Sequence, residues 1–407
     1  MKNILSKLVS FSLLFVLSFA VQSVPAQTAA NSDFEQWIAD FYPVAEKEGI
    51  RRATWDMAFA GVTEPDPRVL KKANYQPEFT TEIWEYLDGR VNPLSLKKGG
   101  KMGRYYAGTL SDVESTFGVP RSVLLAIWSM ESNFGAILER PERLHYVPRA
   151  LATLGYGDPK RQKFARSQLI ASLKILQAGD ISKEQLTGSW AGAMGHTQFI
   201  PTSYLAYGYD MDGNGRRDIW NSIPDALATA ANLLHKNNWQ TGKTWGYEVV
   251  LPATAEKYSD QTKTLAEWQN LGFGRPGGKP FPRPDDKAVL KILAGTKGPG
   301  FLMLKNFFVL KRYNNSDSYA LAVGLLADRL AGWSGLVQSW PRPAGSLSVD
   351  DKFELQERLQ QQGYYSGEID GYLGSGTKAA IREFQIKAGL TEDGVPSKSV
   401  LQALRRQ

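Results

Sequence analysis

An unbroken apolar run that ends in a single acid constrains this chain more than any other stretch. In SVLLAIWSMESNFG (residues 122–135) the segment 123–128 is apolar on all sides, the pattern of a helix enclosed by other elements. Pro120, with no amide hydrogen to lose and its φ already set, suits the first turn. Gly135 offers a stop. Glu131 follows Ile127 by four residues and Leu124 by seven, so it projects from the face that belongs in the core. Desolvation and the negative end of the helix dipole both disfavour its charged form. That predicts a raised pKa and a group able to donate a proton at neutral pH. The competing reading is a glutamate that turns to solvent at a fraying helix end.

The chain has 407 residues, room for two or three domains and a large core. Its net charge of +7 includes Lys2 and Lys7, and no basic stripe follows. A bias that mild suits a polyanionic surface and gives no support to nucleic-acid binding. Lys2, Lys7, the apolar LVSFSLLFVLSFAV and Val24-Pro25-Ala26 together read as a signal peptide over residues 1–26, cut before Gln27. The alternative is an uncleaved anchor, because the apolar run is near the shortest that spans a bilayer. Polar and small residues follow at once, which favours cleavage and a periplasmic protein with no stable membrane anchor. There is no cysteine. Disulfides, thiol catalysis, cysteine–zinc sites and a lipidated cysteine are therefore excluded.

From Phe34 to Tyr105 the pattern is mostly helical, with aromatic anchors such as Trp37, Trp55 and Trp84, and helical spacing resumes after Ser111, Ser167, Pro224 and Ser318. After Trp245 the period shortens. YEVVLP (247–252), AVLKIL (288–293) and FLMLKNFFVLKRY (301–313) read as strands between Gly- and Pro-rich turns. The fold class expected is mainly α with a small antiparallel β excursion. Residues 27–333 form the large domain, 334–346 a linker with two prolines, and 347–407 a small helical unit.

Two further stretches carry chemistry. GSWAGAMGHTQFIPTSY (188–204) places Gly188, Gly192 and Gly195 close together, which lets backbone approach a ligand or simply another segment of chain. DMDGNGRRDIWN (210–221) has the oxygen spacing of an EF-hand loop: Asp210, Asp212, Asn214, the Arg216 carbonyl, Asp218 and Asn221, with Gly215 at the turn. This predicts a structural Ca²⁺. Asn221 in the last position lowers charge and denticity, so binding should be weak. The alternative is an Asx-rich turn without metal. His145, His196 and His235 show no metal spacing and read as structural or surface residues.

The E-S-N-F-G around Glu131, the G-S-W-A-G-A-M-G-H-T-Q-F of 188–199, the calcium-type loop and YNNSDSY (313–319) together resemble the lytic murein transglycosylases of the MltB family. The 347–407 unit, with Leu355-Gln356, GYYSGEIDGYLG, T-x-x-A-I-x-x-F-Q and Asp393-Gly394, resembles the small peptidoglycan-binding domain of many wall enzymes. The resemblance implies a lysozyme-like helical domain with a deep sugar groove and Glu131 as its one catalytic acid. It also places Ser132, Arg161, Ser189, Met194, Gln198, Phe199, Tyr313 and Tyr319 as substrate-binding residues. The family's A-N-Y segment is Ala231-Asn232-Leu233 here, and its basic pair is Lys160-Arg161. The reaction implied cleaves the β-1,4 bond between N-acetylmuramic acid and N-acetylglucosamine and leaves a 1,6-anhydro end, with no catalytic cofactor. Peptidoglycan glycan strands are the partner implied, with other cell-wall enzymes as further candidates. The rival readings are a hydrolytic muramidase, which needs a second carboxylate, and a non-catalytic wall-binding scaffold.

Overall fold

A computed structural model describes residues 26–74 and 81–407. The leader expected at 1–26 lies outside the described residues except for Ala26, the first residue of α1 (Ala26–Lys47). After it come α2 (Arg52–Phe59), α3 (Pro67–Asn74), α4 (Ile83–Asp88), α5 (Pro93–Tyr105), α6 (Ala107–Phe117) and α7 (Arg121–Ser132). A two-residue strand β1 (His145–Tyr146) leads into α8 (Val147–Gly157) and α9 (Gln162–Ala178), and β2 (Thr187–Gly188) pairs with β1. Next are α10 (Pro201–Tyr207) and α11 (Ile223–Lys236). Local chemistry sets several of these ends. Asn92 caps α5 by accepting from the Ser95 amide, with Pro93 in the first turn. Gly118 closes α6 in the left-handed conformation.

α7 is the enclosed helix. Leu124, Ala126 and Ile127 have no exposed surface, and the helix packs against α5, α6, α11 and the later α14 (Asp317–Leu330). Each buried Leu or Ile stabilises the fold by roughly 1.5–3 kcal/mol, so this face is strongly specified. Pro120 sits just before the first turn as N-cap. The helix ends earlier than Gly135, because Asn133, Phe134 and Gly135 all take positive φ.

The β excursion is a four-stranded antiparallel sheet of β3 (Gly246–Val249), β4 (Thr262–Thr264), β5 (Lys287–Ile292) and β6 (Gly300–Met303), in the order β3-β6-β5-β4. α12 (Leu265–Asn270) follows β4. Strand alternation divides two cores. Phe301 and Met303 face the main helical core, whereas Leu302 and Leu304 join a second cluster around Trp268 and Phe273. Expecting one strand to run through 301–313 was incorrect. Past Met303 the chain turns into α13 (Lys305–Tyr313). There Phe307 and Leu310, one helical turn apart, are fully buried, and Asn306 bonds the Gln240 and Lys243 carbonyls.

α15 (Val349–Gln361), α16 (Ser375–Lys387) and α17 (Lys398–Arg405) enclose a separate apolar cluster of Leu355, Leu359, Ile381, Phe384, Leu401 and Leu404. Two buried glutamines hold its turns. Gln356 accepts from the amides of Asp370 and Gly371, and Gln385 accepts from the Gly394 amide. The same chemistry thus pins both Asp-Gly turns.

The segment joining α14 to α15 lies against the large lobe. Glu248 accepts from the Val337 and Gln338 amides, and Trp340 packs beside Phe301. Asp88, at the end of α4, receives a two-pronged bond from Arg342 at 2.9 and 2.6 Å and another from Lys352 of α15 at 2.8 Å. The Asp88 carboxylate is only 9% exposed. Removing one partner of a mostly buried ion pair costs about 3–5 kcal/mol. Asp88→Asn should therefore lower the melting temperature and speed proteolysis between Trp340 and Ser348. Unchanged cleavage there would show that the ion cluster does not hold the two units together.

Candidate active site

Glu131 occupies the last turn of α7, half-buried, and Tyr319 in the first turn of α14 donates its hydroxyl to Glu131 Oε1 at 2.6 Å. Ser316 caps α14 by accepting from the Tyr319 amide and so sets where that turn begins. Tyr313, at the end of α13, stacks on Tyr319 with ring centres 6.3 Å apart and donates to the Thr197 carbonyl at 2.6 Å. Phe199 meets Tyr313 edge-on at 5.3 Å and exchanges two backbone hydrogen bonds with Met194. Acid, two tyrosines and the Gly-rich loop are therefore one continuous stack.

Burial pushes the Glu131 carboxyl from its ordinary 4.5 up to about 7, while the Tyr319 hydrogen bond and the Arg90 charge pull it back down. Among the described residues, no second carboxylate contributes to this balance. Burial also holds the Tyr313 and Tyr319 phenols well above their ordinary range, so both stay neutral donors.

The other residues expected in the groove fall into different roles. Gln198 lies beside Phe199 with φ +50 and donates to the Gly195 carbonyl. Ser132 is buried; its hydroxyl donates to the His196 carbonyl at 2.6 Å and accepts from the Gly135 amide, fastening α7 to the Gly-rich loop. Met194 has no exposed surface. Ser189 accepts from the Ala191 and Ala193 amides and forms a turn. Arg161 binds Asp158 and lies over the Trp190 ring at 5.6 Å. Ser189, Trp190 and Gln198 border a cavity of about 490 Å³. Trp190 was passed over although it sits inside the GSWAG motif. Arg90, which stacks on Tyr86 at 3.8 Å, had no sequence signal.

The glycines of the loop serve chain-to-chain approach. A Cβ on Gly188 would lie 2.4 Å from the Ala193 carbonyl oxygen, and one on Gly195 (φ +68) 2.4 Å from that of Ile219. Asn133, Phe134 and Gln198, all non-glycine residues at positive φ, concentrate backbone strain next to Glu131 and its loop. His196 accepts from the Trp128 indole at 3.2 Å, and burial lowers its pKa to about 4, so it is a neutral structural group.

In the 210–221 loop, Asp210 accepts from the Gly213, Asn214 and Gly215 amides, Asn214 accepts from the Arg216 amide, and Asp212 accepts from the Ser222 hydroxyl. The Asn221 amide group turns to Asp218. Sequence reasoning missed Asp225, in the first turn of α11 and beyond the twelve-residue spacing. Its carboxylate, with those of Asp210 and Asp212, forms a cluster within 4.8 Å. No Lys or Arg forms an ion pair with these three among the described residues, and burial raises the Asp225 pKa.

An acid with a raised pKa in a helical enclosure, hydrogen-bonded to a tyrosine, is fitted to proton transfer, and the helical fold around it is that of lysozyme-like lytic transglycosylases. Residues 33–328 match the transglycosylase SLT domain family, and residues 349–404 match a peptidoglycan binding domain. The chain belongs to the first family, is of the MltB type, and carries the second domain at its C-terminal end. It is 28% identical over 242 residues to membrane-bound lytic murein transglycosylase B of Escherichia coli K12, a match spanning 59% of this chain and 65% of that protein. SltB3 from Pseudomonas aeruginosa, solved in complex with NAG-anhNAM-pentapeptide, is 44% identical and superposes with a TM-score of 0.72, covering 91% of this chain and 99% of that one. The C-terminal unit is 52% identical over 56 residues to a spore cortex-lytic enzyme of Bacillus subtilis 168, which is 14% of this chain and 18% of that protein.

If Tyr319 supports the ionised form of Glu131, then Tyr319→Phe should raise the Glu131 pKa further. A hydrogen bond to a charged group is worth about 1.5–3 kcal/mol, so the alkaline limb of the pH–rate profile should move up by about one pH unit or more. A limb that stays in place would assign Tyr319 to packing alone.

Proposed function

We propose that this chain is a peptidoglycan lytic transglycosylase in which Glu131 acts first as acid and then as base. Neutral Glu131 protonates the glycosidic oxygen between N-acetylmuramic acid and N-acetylglucosamine, and the substrate's 2-acetamido group supports the positive charge at C1. The resulting carboxylate, steadied by the Tyr319 hydroxyl, takes the proton of the muramic acid C6 hydroxyl. That oxygen bonds to C1 and closes the 1,6-anhydro ring. The observation that carries this reading is the Glu131 carboxyl at the end of an enclosed helix, hydrogen-bonded to the Tyr319 hydroxyl at 2.6 Å and lifted to about 7 by burial, with no second carboxylate acting on it among the described residues. Such a site can pass one proton out and back without activating water. Groove roles for Gln198, Phe199 and Tyr313 follow from their continuity with Glu131.

We also propose that residues 334–346 divide a catalytic domain, 27–333, from a wall-binding domain, 347–407, and that residues 1–26 are a leader directing the protein to the periplasm. The described residues include no helix long and apolar enough to cross a membrane. Asp210, Asp212 and Asp225, with Asn214, Asp218 and Asn221 around the same hollow, suit a hard cation such as Ca²⁺ in a structural role, because all the donors are oxygen.

Three outcomes test these readings. Glu131→Gln should fold and lose on the order of 10² to 10⁴ in rate or more, and the unmodified protein should release anhydro-muramic ends from sacculi, lighter than hydrolysed ends by one water. Reducing ends in the mass spectrum would move the assignment to muramidase. Because folding raises the Glu131 pKa, the unfolded state holds fewer protons between pH 4.5 and about 7, so native stability falls as pH rises through that window and is level above it. Glu131→Gln should flatten that fall in a series of melts. Millimolar Ca²⁺ should raise the melting temperature relative to chelator, with Kd near roughly 10⁻⁴ to 10⁻³ M. Asp212→Asn should abolish the rise, and an identical melt of the unmodified protein in both conditions would remove the site.

A further inference from the structure

We infer that His196 is a positioning residue for the acid, holding the last turn of α7 on both sides of Glu131 and so setting the reach of its carboxyl to the Tyr319 hydroxyl. The inference rests on the catalytic reading of Glu131. Trp128, three places before Glu131 and only 1% exposed, donates its indole N–H to His196 Nδ1 at 3.2 Å. Ser132, the residue after Glu131, donates its hydroxyl to the His196 carbonyl at 2.6 Å. Four residues apart, Trp128 and Ser132 share one face of the helix. A single residue that grips both therefore fixes the rotation of the turn that carries Glu131. The Trp128 and His196 rings meet edge-on with centres 5.7 Å apart. The chain leaving the helix lies on the same imidazole, since a Cβ on Gly135 would stand 2.4 Å from its Cε1.

His196 is itself anchored from outside the helix. Its amide donates to the Ile219 carbonyl at 2.9 Å, and Gly195 before it packs on the same carbonyl. Thr197 after it donates its hydroxyl to the Ala226 carbonyl and accepts the Tyr313 hydroxyl on its own carbonyl. Burial lowers the ring's pKa to about 4, against the Asp218 charge and a backbone hydrogen bond at Trp220. The neutral ring keeps on Nδ1 the lone pair that the buried Trp128 N–H requires. The Tyr319 bond to Glu131 is short, at 2.6 Å, and such bonds weaken steeply as they are misaligned. A last turn free to rotate would loosen that bond and leave the Glu131 carboxyl more often neutral. His196 thus acts on the reaction through the acid and has no need to touch the glycan.

The test follows the pH–rate profile of the full chain on a soluble glycan of GlcNAc-MurNAc repeats. His196→Leu, which fills the space and offers no acceptor, should lower kcat about tenfold with KM nearly unchanged. It should also move the alkaline limb up by about half a pH unit. His196→Asn, whose side-chain oxygen can stand in for Nδ1, should bring both back towards the parent. Trp128→Phe removes the same bond from the other side and should reproduce the shift; it is the variant read if His196→Leu fails to fold. In a Tyr319→Phe background His196→Leu should move the limb no further, because the bond through which it acts is already gone. A limb that stays in place while the melting temperature falls, or a shift that adds fully to that of Tyr319→Phe, overturns the positioning role alone. A parent that releases no anhydro-muramic ends overturns the catalytic reading of Glu131 and this one with it.

Discussion

The site depends on one hydrogen bond across two helices, from the Tyr319 hydroxyl to the Glu131 carboxylate. Burial favours the neutral acid, and hydration would favour the carboxylate. The enclosed face of α7 supplies the first tendency, and one neutral phenol and the Arg90 charge oppose it. Both forms are then accessible near neutral pH, as the acid-then-base role proposed for Glu131 requires. The bond exists only if the last turn of α7 and the first turn of α14 stay in register. α14 is fixed farther along by the Trp245 indole, which donates to Asp328 at 3.1 Å. The chemistry therefore relies on the junction where the helical lobe meets the sheet.

That dependence also explains where strain is stored. Three consecutive positive φ values at 133–135 turn the chain sharply away from Glu131, and Ser132 ties that turn to the His196 carbonyl. Gln198 takes its own strained conformation on the facing loop, whose Thr197 carbonyl receives the Tyr313 hydroxyl. The acid and the loop are thus each hydrogen-bonded to a member of the same stacked tyrosine pair. Close packing at Gly188 and Gly195 supplies the remaining rigidity.

Glu131 was legible because a period-3.6 apolar face and an acid on that face are local facts. Its support was not, since Tyr319 lies 188 residues away and only the family resemblance connected them. Ser132 and Met194 sit inside the motifs the resemblance named, and the structure places one on backbone and the other in the core. Asp225 was invisible because loop spacing stops at twelve residues and the carboxylate arrives from the following helix. α13 was read as strand because Phe307, Phe308, Val309 and Leu310 have strand-like propensity, and tertiary burial at helical spacing overrode it. Asp88 had no signal at all, as an ordinary acid at a helix end becomes a docking point only once Arg342 and Lys352 fold back onto it.

The C-terminal unit follows from the same economy of rigid contacts. A linker with two prolines already restricts reach, and here Glu248, Trp340 and Asp88 take up its remaining freedom. α4, which ends in Asp88, also packs against α14 and is followed at once by Arg90, whose charge acts on Glu131. The C-terminal unit is consequently tied, through Asp88, to a helix that packs against the one carrying Tyr319 and leads directly to Arg90.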